Sequence, residues 1–488
     1  MYLWLYNSNV YIYIMAFIRY QKFGKKEYAY EITAYWDKNK KSCRQKTRYL
    51  GAVIDKTKKI FEKKQRVATQ EKLILDFGDS FAMNDFLQNS GFNQLIASSF
   101  GQFTDDILAL VQYRLCYGSA MTYAQKWFEG SYAKIKFKEA NLSSQRISEL
   151  FEQAGDERQQ RLFFREYFKQ FAASKEGIII DATSLPNQIH MPLTEWGRSG
   201  EEIDKQMRFL LVVDKQTGMP LYFRNLPGNI IDVSTLKNTV DELQKYGVEN
   251  LFIYSDAGFF SEDNILDMYK NDIHFLTRLP ATRTIYKELI QQEVKNLESF
   301  ANGVRYGKKR SMFIKQKEIE LFGRKAFAHI VLDPKRKGRE MDRFILENLD
   351  EKDKNKDELD YQFLRRGVMI LISSFEIPKE EVVPAYYVRQ TAEMLFGFSK
   401  DDLDILPLRV HNEARVRGFL LLQFLSLIAF TQIKNKLGKE YTVEEALLSL
   451  RNLKAKVYDK DIIVSELTKE QNEITSKLGV IVSKNLGI

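Results

Sequence analysis

The stretch from Tyr386 to Lys400 reads YYVRQTAEMLFGFSK, with Glu393 near its middle, Arg389 four residues before it, Tyr386 seven before and Lys400 seven after. On a helix turning about 100° per residue, Tyr386, Arg389 and Glu393 fall within an arc of roughly 60°, and Lys400 joins them if the helix runs that far. The intervening Ala392, Leu395, Phe396 and Phe398 are apolar. The segment therefore reads as a buried helix with one polar stripe of phenol, base and acid. A solvated helix face also carries i,i+4 Arg–Glu pairs, so the stripe alone does not decide its role. Two aspartates upstream do. Asp181 closes the β-branched run GIIIDATSL, and Asp256 stands just beyond Leu251 to Tyr254 in NLFIYSDAGFF. Both runs read as buried strands, and each delivers its acid at the strand's end, where a sheet meets a cleft.

Three carboxylates within a few ångströms raise one another's pKa unless a cation neutralises them. Hard divalent ions such as Mg²⁺ prefer oxygen ligands and fill their shells with water and substrate phosphate. Two such ions about 3.5–4 Å apart activate an attacking water or 3′-hydroxyl and stabilise the leaving oxygen. An Arg, a Lys and a Tyr beside the acids suit phosphate clamping. The constellation points to phosphodiester chemistry on nucleic acid. The net charge of +9 over 488 residues leans the same way; a generic Lys-rich surface accounts for it nearly as well.

Several elements must position these residues. Residues 1–70 read as a β-rich region: Tyr28, Tyr30, Ile32 and Ala34 alternate with polar residues, and Lys38 to Arg48 is a basic, turn-like stretch able to track a phosphate backbone. The apolar residues 1–14 lack a signal-peptide pattern, and Met15 offers an alternative start. Residues 71–175 read as helices fit for DNA binding or dimerisation. Residues 176–282 form an α/β layer in which Met207 to Val213 and Leu221 to Phe223 make an antiparallel meander around the turn at Asp214 to Gly218. Asp232 is placed to cap a helix from about Val233 to Tyr246, and Ser261 opens another. Residues 283–365 look like a β-rich insertion, 366–435 return to the core, and 436–488 read as a helical tail. The apolar run Phe419 to Phe430 is too short to span a bilayer and reads as a core helix, so no membrane partner is expected. Arg409, His411, Arg415 and Arg417 before it face either DNA or solvent. Cys43 and Cys116 lack a partner motif, which suits a reducing cytoplasm, and four scattered histidines make no zinc spacing.

Tyr386-x2-Arg389-x3-Glu393-x6-Lys400 resembles the Tyr-Arg-Glu-Lys signature of bacterial insertion-sequence transposases of the DDE type. IIIDATSL, FIYSDAGF and the loop PGNIID look like that family's aspartate regions, and the likeness extends over roughly residues 15–440. The second aspartate follows the first by 75 positions and the glutamate follows by 137 more, a long gap resembling members with a β-rich insertion in a ribonuclease H-like core. The resemblance implies that Asp181, Asp256 and Glu393 bind two Mg²⁺ ions, with Mn²⁺ able to substitute. It implies that Tyr386, Arg389 and Lys400 contact transposon-end phosphates. Trp196 and Arg198, in a WGRSG loop, are then candidates to touch flipped or terminal bases; an exposed turn needs no such role. A cut-and-paste enzyme is implied, acting on double-stranded DNA as a synaptic homodimer, with a hairpin intermediate as one route, in the bacterial cytoplasm on the nucleoid. A host nuclease of the same core without strand joining, and an inactive, domesticated DNA-binding protein, are the competing readings.

Overall fold

The computed structural model describes residues 15–24, 26–37, 42–62, 73–171, 176–199, 202–229, 233–249, 251–348, 356–402, 412–458 and 461–487. Asp232, Arg409, His411 and residues 1–14 lie outside them. The chain divides into two compact units, one built on residues 1–73 and the other on 74–456 and 462–486.

The first unit is an antiparallel sheet of β1 (Met15–Phe23), β2 (Lys26–Asp37), β3 (Ser42–Asp55) and β4 (Ile60–Glu62), in that order. The basic stretch expected as a turn is strand from Ser42 onward. Arg44, Lys46 and Arg48 alternate along β3, exposed, opposite Tyr35, Thr33 and Glu31. Alternation puts them on one face.

The second unit opens with β5 (Leu73–Asp76) and seven helices: α1 (Gly78–Asn89), α2 (Phe92–Phe100), α3 (Thr104–Cys116), α4 (Ala124–Gly130), α5 (Ala133–Lys136), α6 (Ser144–Ala154) and α7 (Glu157–Gln170). The α/β layer follows with β6 (Ile178–Pro186), β7 (Glu195–Ser199), β8 (Glu202–Asp214), β9 (Pro220–Pro227), α8 (Val233–Lys245), β10 (Phe252–Ser255), α9 (Glu262–Lys270) and β11 (His274–Arg278). Ser261 caps α9 as expected, its side chain accepting from the Asn264 amide. Then come α10 (Thr284–Glu293), β12 (Gly303–Tyr306), β13 (Arg310–Leu321), β14 (Arg324–Leu332), α11 (Pro334–Asn348), α12 (Lys356–Leu364) and β15 (Val368–Ser373).

All ten strands from β6 to β15 share one sheet. Its path runs β12-β13-β14-β15-β11-β10-β6-β8-β7, with β9 also on β8. The neighbours of β10 are parallel, whereas β6–β8, β8–β9, β11–β15 and β12 through β15 are antiparallel. The strands of the region read as an insertion therefore extend the main sheet rather than standing apart from it. His329 of β14 is fully buried in this sheet against Ser373 (Nε2 to Oγ, 2.8 Å), and burial pushes its pKa down to about 4.

Beyond β15 come α13 (Lys379–Tyr387), α14 (Gln390–Gly397) and α15 (Glu413–Leu437). The helix α15 is longer than its apolar run suggested. Among the described residues it alone is long and apolar enough to cross a membrane, yet 89% of that stretch is buried inside the fold. It packs on α3, α6 and β9, and Phe424 meets Phe163, Phe164, Tyr167 and Phe223. Arg415 and Arg417 are ion-paired to Glu152 and to Glu157 and Glu413, acids of α6, α7 and α15 itself. The expected helical tail is mixed: α16 (Val443–Arg451), β16 (Lys454–Val457), β17 (Asp461–Val464), α17 (Lys469–Leu478) and β18 (Asn485–Gly487). Its strands order as β18-β17-β16-β5 over a small core of Phe77, Leu453, Ala455, Ile462 and Val464.

The contact between α6 and α15 depends on glycine. A Cβ added at Gly418 would lie 1.9 Å from the Phe151 carbonyl oxygen, and one at Gly155 would lie 1.7 Å from that of Ala414. Gly→Ala inside a helix ordinarily stabilises by about 1 kcal/mol, but overpacking costs about 1–3 kcal/mol. Gly338, exposed in α11, has nothing within 4 Å of its Cβ position. We expect Gly418→Ala to lower the thermal unfolding midpoint and Gly338→Ala to raise it. Equal shifts in one direction would show that the backbone contact at Gly418 carries no weight.

Candidate active site

Asp181 does not end its strand, as the apolar run suggested. It is the fourth residue of nine in β6, because β8 keeps pairing with β6 as far as Pro186. What ends there is the parallel pairing. Ile178, Ile179 and Ile180 pair with Ile253, Tyr254 and Ser255, and β10 then stops. The next residue on each chain is an aspartate, so neighbouring parallel strands release Asp181 and Asp256 side by side, independent of the chain between them. Ser255 Oγ donates to Thr277 Oγ1 (3.1 Å) across β10–β11, and Thr277 Oγ1 donates to the Asp256 carbonyl (3.4 Å).

The helix expected over Tyr386 to Lys400 is broken into two. Pro384 lies inside α13 and has no amide proton to donate back along the helix. Two turns on, the amides of Arg389, Thr391 and Ala392 bond three residues back rather than four. Tyr386 thus belongs to α13, Arg389 caps α14, and Glu393 lies in the first turn of α14. The stripe survives because both segments keep helical backbone angles. Leu395, Ala392 and Phe396 are buried, Phe396 against Phe209 of β8, while Glu393 is half exposed.

Arg389 gathers the acids. Its Nη1 donates to Asp181 Oδ2 (2.8 Å), its Nη2 donates to Glu393 Oε1 (2.6 Å), and Asp256 Oδ2 lies 4.0 Å from Nη2. Tyr386 Oη donates to Asp256 Oδ1 (3.0 Å), and its ring lies 5.7 Å from the guanidinium carbon. The remaining Asp181 oxygen accepts from the Ala182 amide (2.9 Å). Burial dominates at Asp181, where it lifts the pKa to about 6 against the pull of Arg389 and the Ala182 amide. Burial also opposes charge on Arg389, but Asp181 and Asp256 hold the guanidinium protonated. One guanidinium shared among three carboxylates cannot offset the burial of Asp181. The Tyr386 phenol is raised by burial and then by Asp256.

Lys400 reaches the site by an unexpected route. Beyond Gly397 the chain makes a widened π turn over Phe398–Asp402, anchored by Phe398 stacked on Phe430 (3.8 Å). Lys400 Nζ then donates to Thr183 Oγ1 (2.6 Å). Thr183, missed in the sequence, is two residues after Asp181 on one strand, which places both on one face; that alternation was the available signal. Trp196 and Arg198 lie on β7 rather than in a loop, paired with Lys205 and Ile203 of β8. Trp196 is 59% exposed, with Lys205 Nζ 5.8 Å from the centre of its ring.

Among the described residues, no three His, Cys, Asp or Glu side chains stand close enough to hold an ion together. The three carboxylates converge instead on one guanidinium. Their donors are all oxygen and all three face a single cationic group, so their chemistry, rather than their spacing with the guanidinium between them, suits a hard divalent ion.

Residues 172–429, just over half of the chain, match the family described as the transposase DDE domain, and the match spans Asp181, Asp256 and Glu393. The chain belongs to the DDE transposases, DNA-cleaving and DNA-transferring enzymes that generally use divalent metal ions. No curated protein matches it. Among solved structures it is similar to a cryo-EM structure of the piggyBac transposase synaptic complex with hairpin DNA, at 12% identity and TM-score 0.39, over 71% of this chain and 70% of that one.

The raised pKa of Asp181 carries a sign. Its folded value of about 6 exceeds the ordinary 3.8, so its contribution is fully present below about pH 4 and is lost as pH rises through 6. Without divalent ions, we expect Asp181→Asn to remove on the order of 2 kcal/mol of destabilisation between pH 4 and 7. Urea unfolding of both proteins in chelator at several pH values measures it. Parallel curves would show that Asp181 titrates as an ordinary carboxylate.

Proposed function

We propose that this chain is the transposase of a bacterial insertion sequence of the Tyr-Arg-Glu-Lys type. It acts in the cytoplasm on nucleoid DNA, binds the inverted ends of its element as a homodimer, and moves it by cut and paste. The observation that carries this reading is the bridge from Arg389 to Asp181 and Glu393, at 2.8 and 2.6 Å, which joins the four-residue signature and the strand-borne aspartates into one site. The strand series β9-β8-β6-β10-β11, antiparallel in its first two pairings and parallel in the next two, supports a ribonuclease H-like core.

In this reading Asp181, Asp256 and Glu393 hold two Mg²⁺ ions, with Mn²⁺ a substitute. Such ions, when bound, activate the attacking oxygen and neutralise the leaving one. Tyr386 orients Asp256 through its hydroxyl. Arg389 and Lys400 supply the phosphate contacts, Arg389 through two parallel N–H donors. The exposed Trp196 ring offers a stacking surface for an unpaired base. Arg44, Lys46 and Arg48 on one face of β3 suit the backbone of duplex DNA.

The test is cleavage of a DNA fragment carrying the element's ends, with Mg²⁺ or Mn²⁺. Asp181→Ala, Asp256→Ala and Glu393→Ala are each expected to slow nicking at the end junction by about a thousandfold, the equivalent of several kcal/mol of lost charge stabilisation. End binding by gel shift should survive. Unchanged cleavage in all three would overturn the site; cutting by wild type without joining to an added target plasmid would mark a nuclease instead. For Lys400→Ala we expect weaker end binding and a salt dependence shallower by about one unit of slope. An unchanged slope would remove Lys400 from the phosphate contacts.

A further inference from the structure

We infer that Arg389 is a gate on metal loading: in the DNA-free protein its guanidinium holds the place of the cation that the three carboxylates require, and it must leave before a divalent ion enters. The inference rests on reading Asp181, Asp256 and Glu393 as the metal site. It goes beyond that reading by making the carboxylates and a DNA phosphate compete for one side chain, so that phosphate binding frees the acids for the metal.

Three observations carry it. First, the guanidinium touches Asp181 and Glu393 at 2.8 and 2.6 Å and stands 4.0 Å from Asp256, so it fills the space between all three acids. A divalent ion and a guanidinium repel and cannot both occupy that space. Second, the parking is incomplete. Arg389 Nε is buried and has no hydrogen-bond partner, whereas both Nη atoms are engaged. A buried polar group without a partner costs free energy that a better acceptor recovers. A DNA phosphate offers the planar fork such an acceptor. Third, Arg389 sits at the break between α13 and α14, where the amides bond three residues back, downstream of Pro384, rather than inside a continuous helix. Asp181 and Asp256 stay fixed meanwhile, because the β6–β10 register holds them.

Linkage then sets the sign. If the guanidinium competes with the ion, removing it strengthens metal binding in the absence of DNA, the opposite of what losing a supporting residue does. The measurement is Mn²⁺ affinity of the full chain without DNA, from the free-ion electron paramagnetic resonance signal. Wild type is compared with Arg389→Gln, Arg389→Lys and Asp181→Ala. Arg389→Gln should bind Mn²⁺ at least about tenfold more tightly than wild type, a factor within the usual range of coupling between sites. Arg389→Lys should fall between, because a compact ammonium cannot span three acids but still opposes the ion. Asp181→Ala should lose the binding. Thermal unfolding supplies a second readout: Mn²⁺ should raise the midpoint of Arg389→Gln more than that of wild type. Equal or weaker affinity in Arg389→Gln and Arg389→Lys, with loss in Asp181→Ala, overturns the gate and leaves the metal site standing. Affinity unchanged by Asp181→Ala overturns the site and the gate with it.

Discussion

Carboxylates brought together in a half-buried cleft repel one another, and the fold is tolerable only if positive charge enters with them. Here that charge is one guanidinium reaching toward three acids, one within a strand, one just past the end of the neighbouring strand and one on a helix. Each acid arrives by a different device. Asp181 rides inside a strand, Asp256 follows the last residue of its neighbour, and Glu393 depends on the path from β15 through α13 to α14. The register between β6 and β10 fixes the first two without reference to the segment joining them. The third is set by apolar packing, Phe396 against Phe209 on the sheet and Phe398 against Phe430 of α15. The helix α15 is therefore part of the site's support through Phe430.

Much of this was legible in the residues alone. The β-branched run before Asp181 and the apolar run before Asp256 announced buried strands, and the spacing of Tyr386, Arg389 and Glu393 announced one face. Local pattern failed where pairing partners decide. Asp181 looked terminal because the run's apolar residues end there, yet the polar half of β6 continues as strand against β8. Trp196 and Arg198 looked like loop residues because Gly197 and Gly200 surround them; hydrogen bonding to β8 makes that segment a strand. The basic run ending at Arg48 is likewise held extended by β2. Pro384 was in view, but the break five to eight residues downstream depends on which carbonyls the later amides choose. Thr183 and the Lys400 contact with it depend on a π turn that no local pattern signals.

The helical half shows how composition and context diverge. α15 has the length and apolarity of a membrane span, and it is sheathed by α3, α6, β9 and α17 instead. Close approach at Gly155 and Gly418 lets its backbone reach that of α6. Gln423 inside it is fully buried and accepts from Arg114 of α3 (3.1 Å), a polar tie to the helices around it.

The position of β15 has one more consequence. All six of its residues are buried, and it lies between β11 of the central layer and β14 of the segment read as an insertion. A shortened chain lacking that segment would leave VMILIS with one unpaired edge, a row of free amides and carbonyls along an uninterrupted aliphatic strand. Such an edge recruits strands from other molecules. β14 covers that edge here, and any trimming of this chain to a smaller core has to supply another cover for β15.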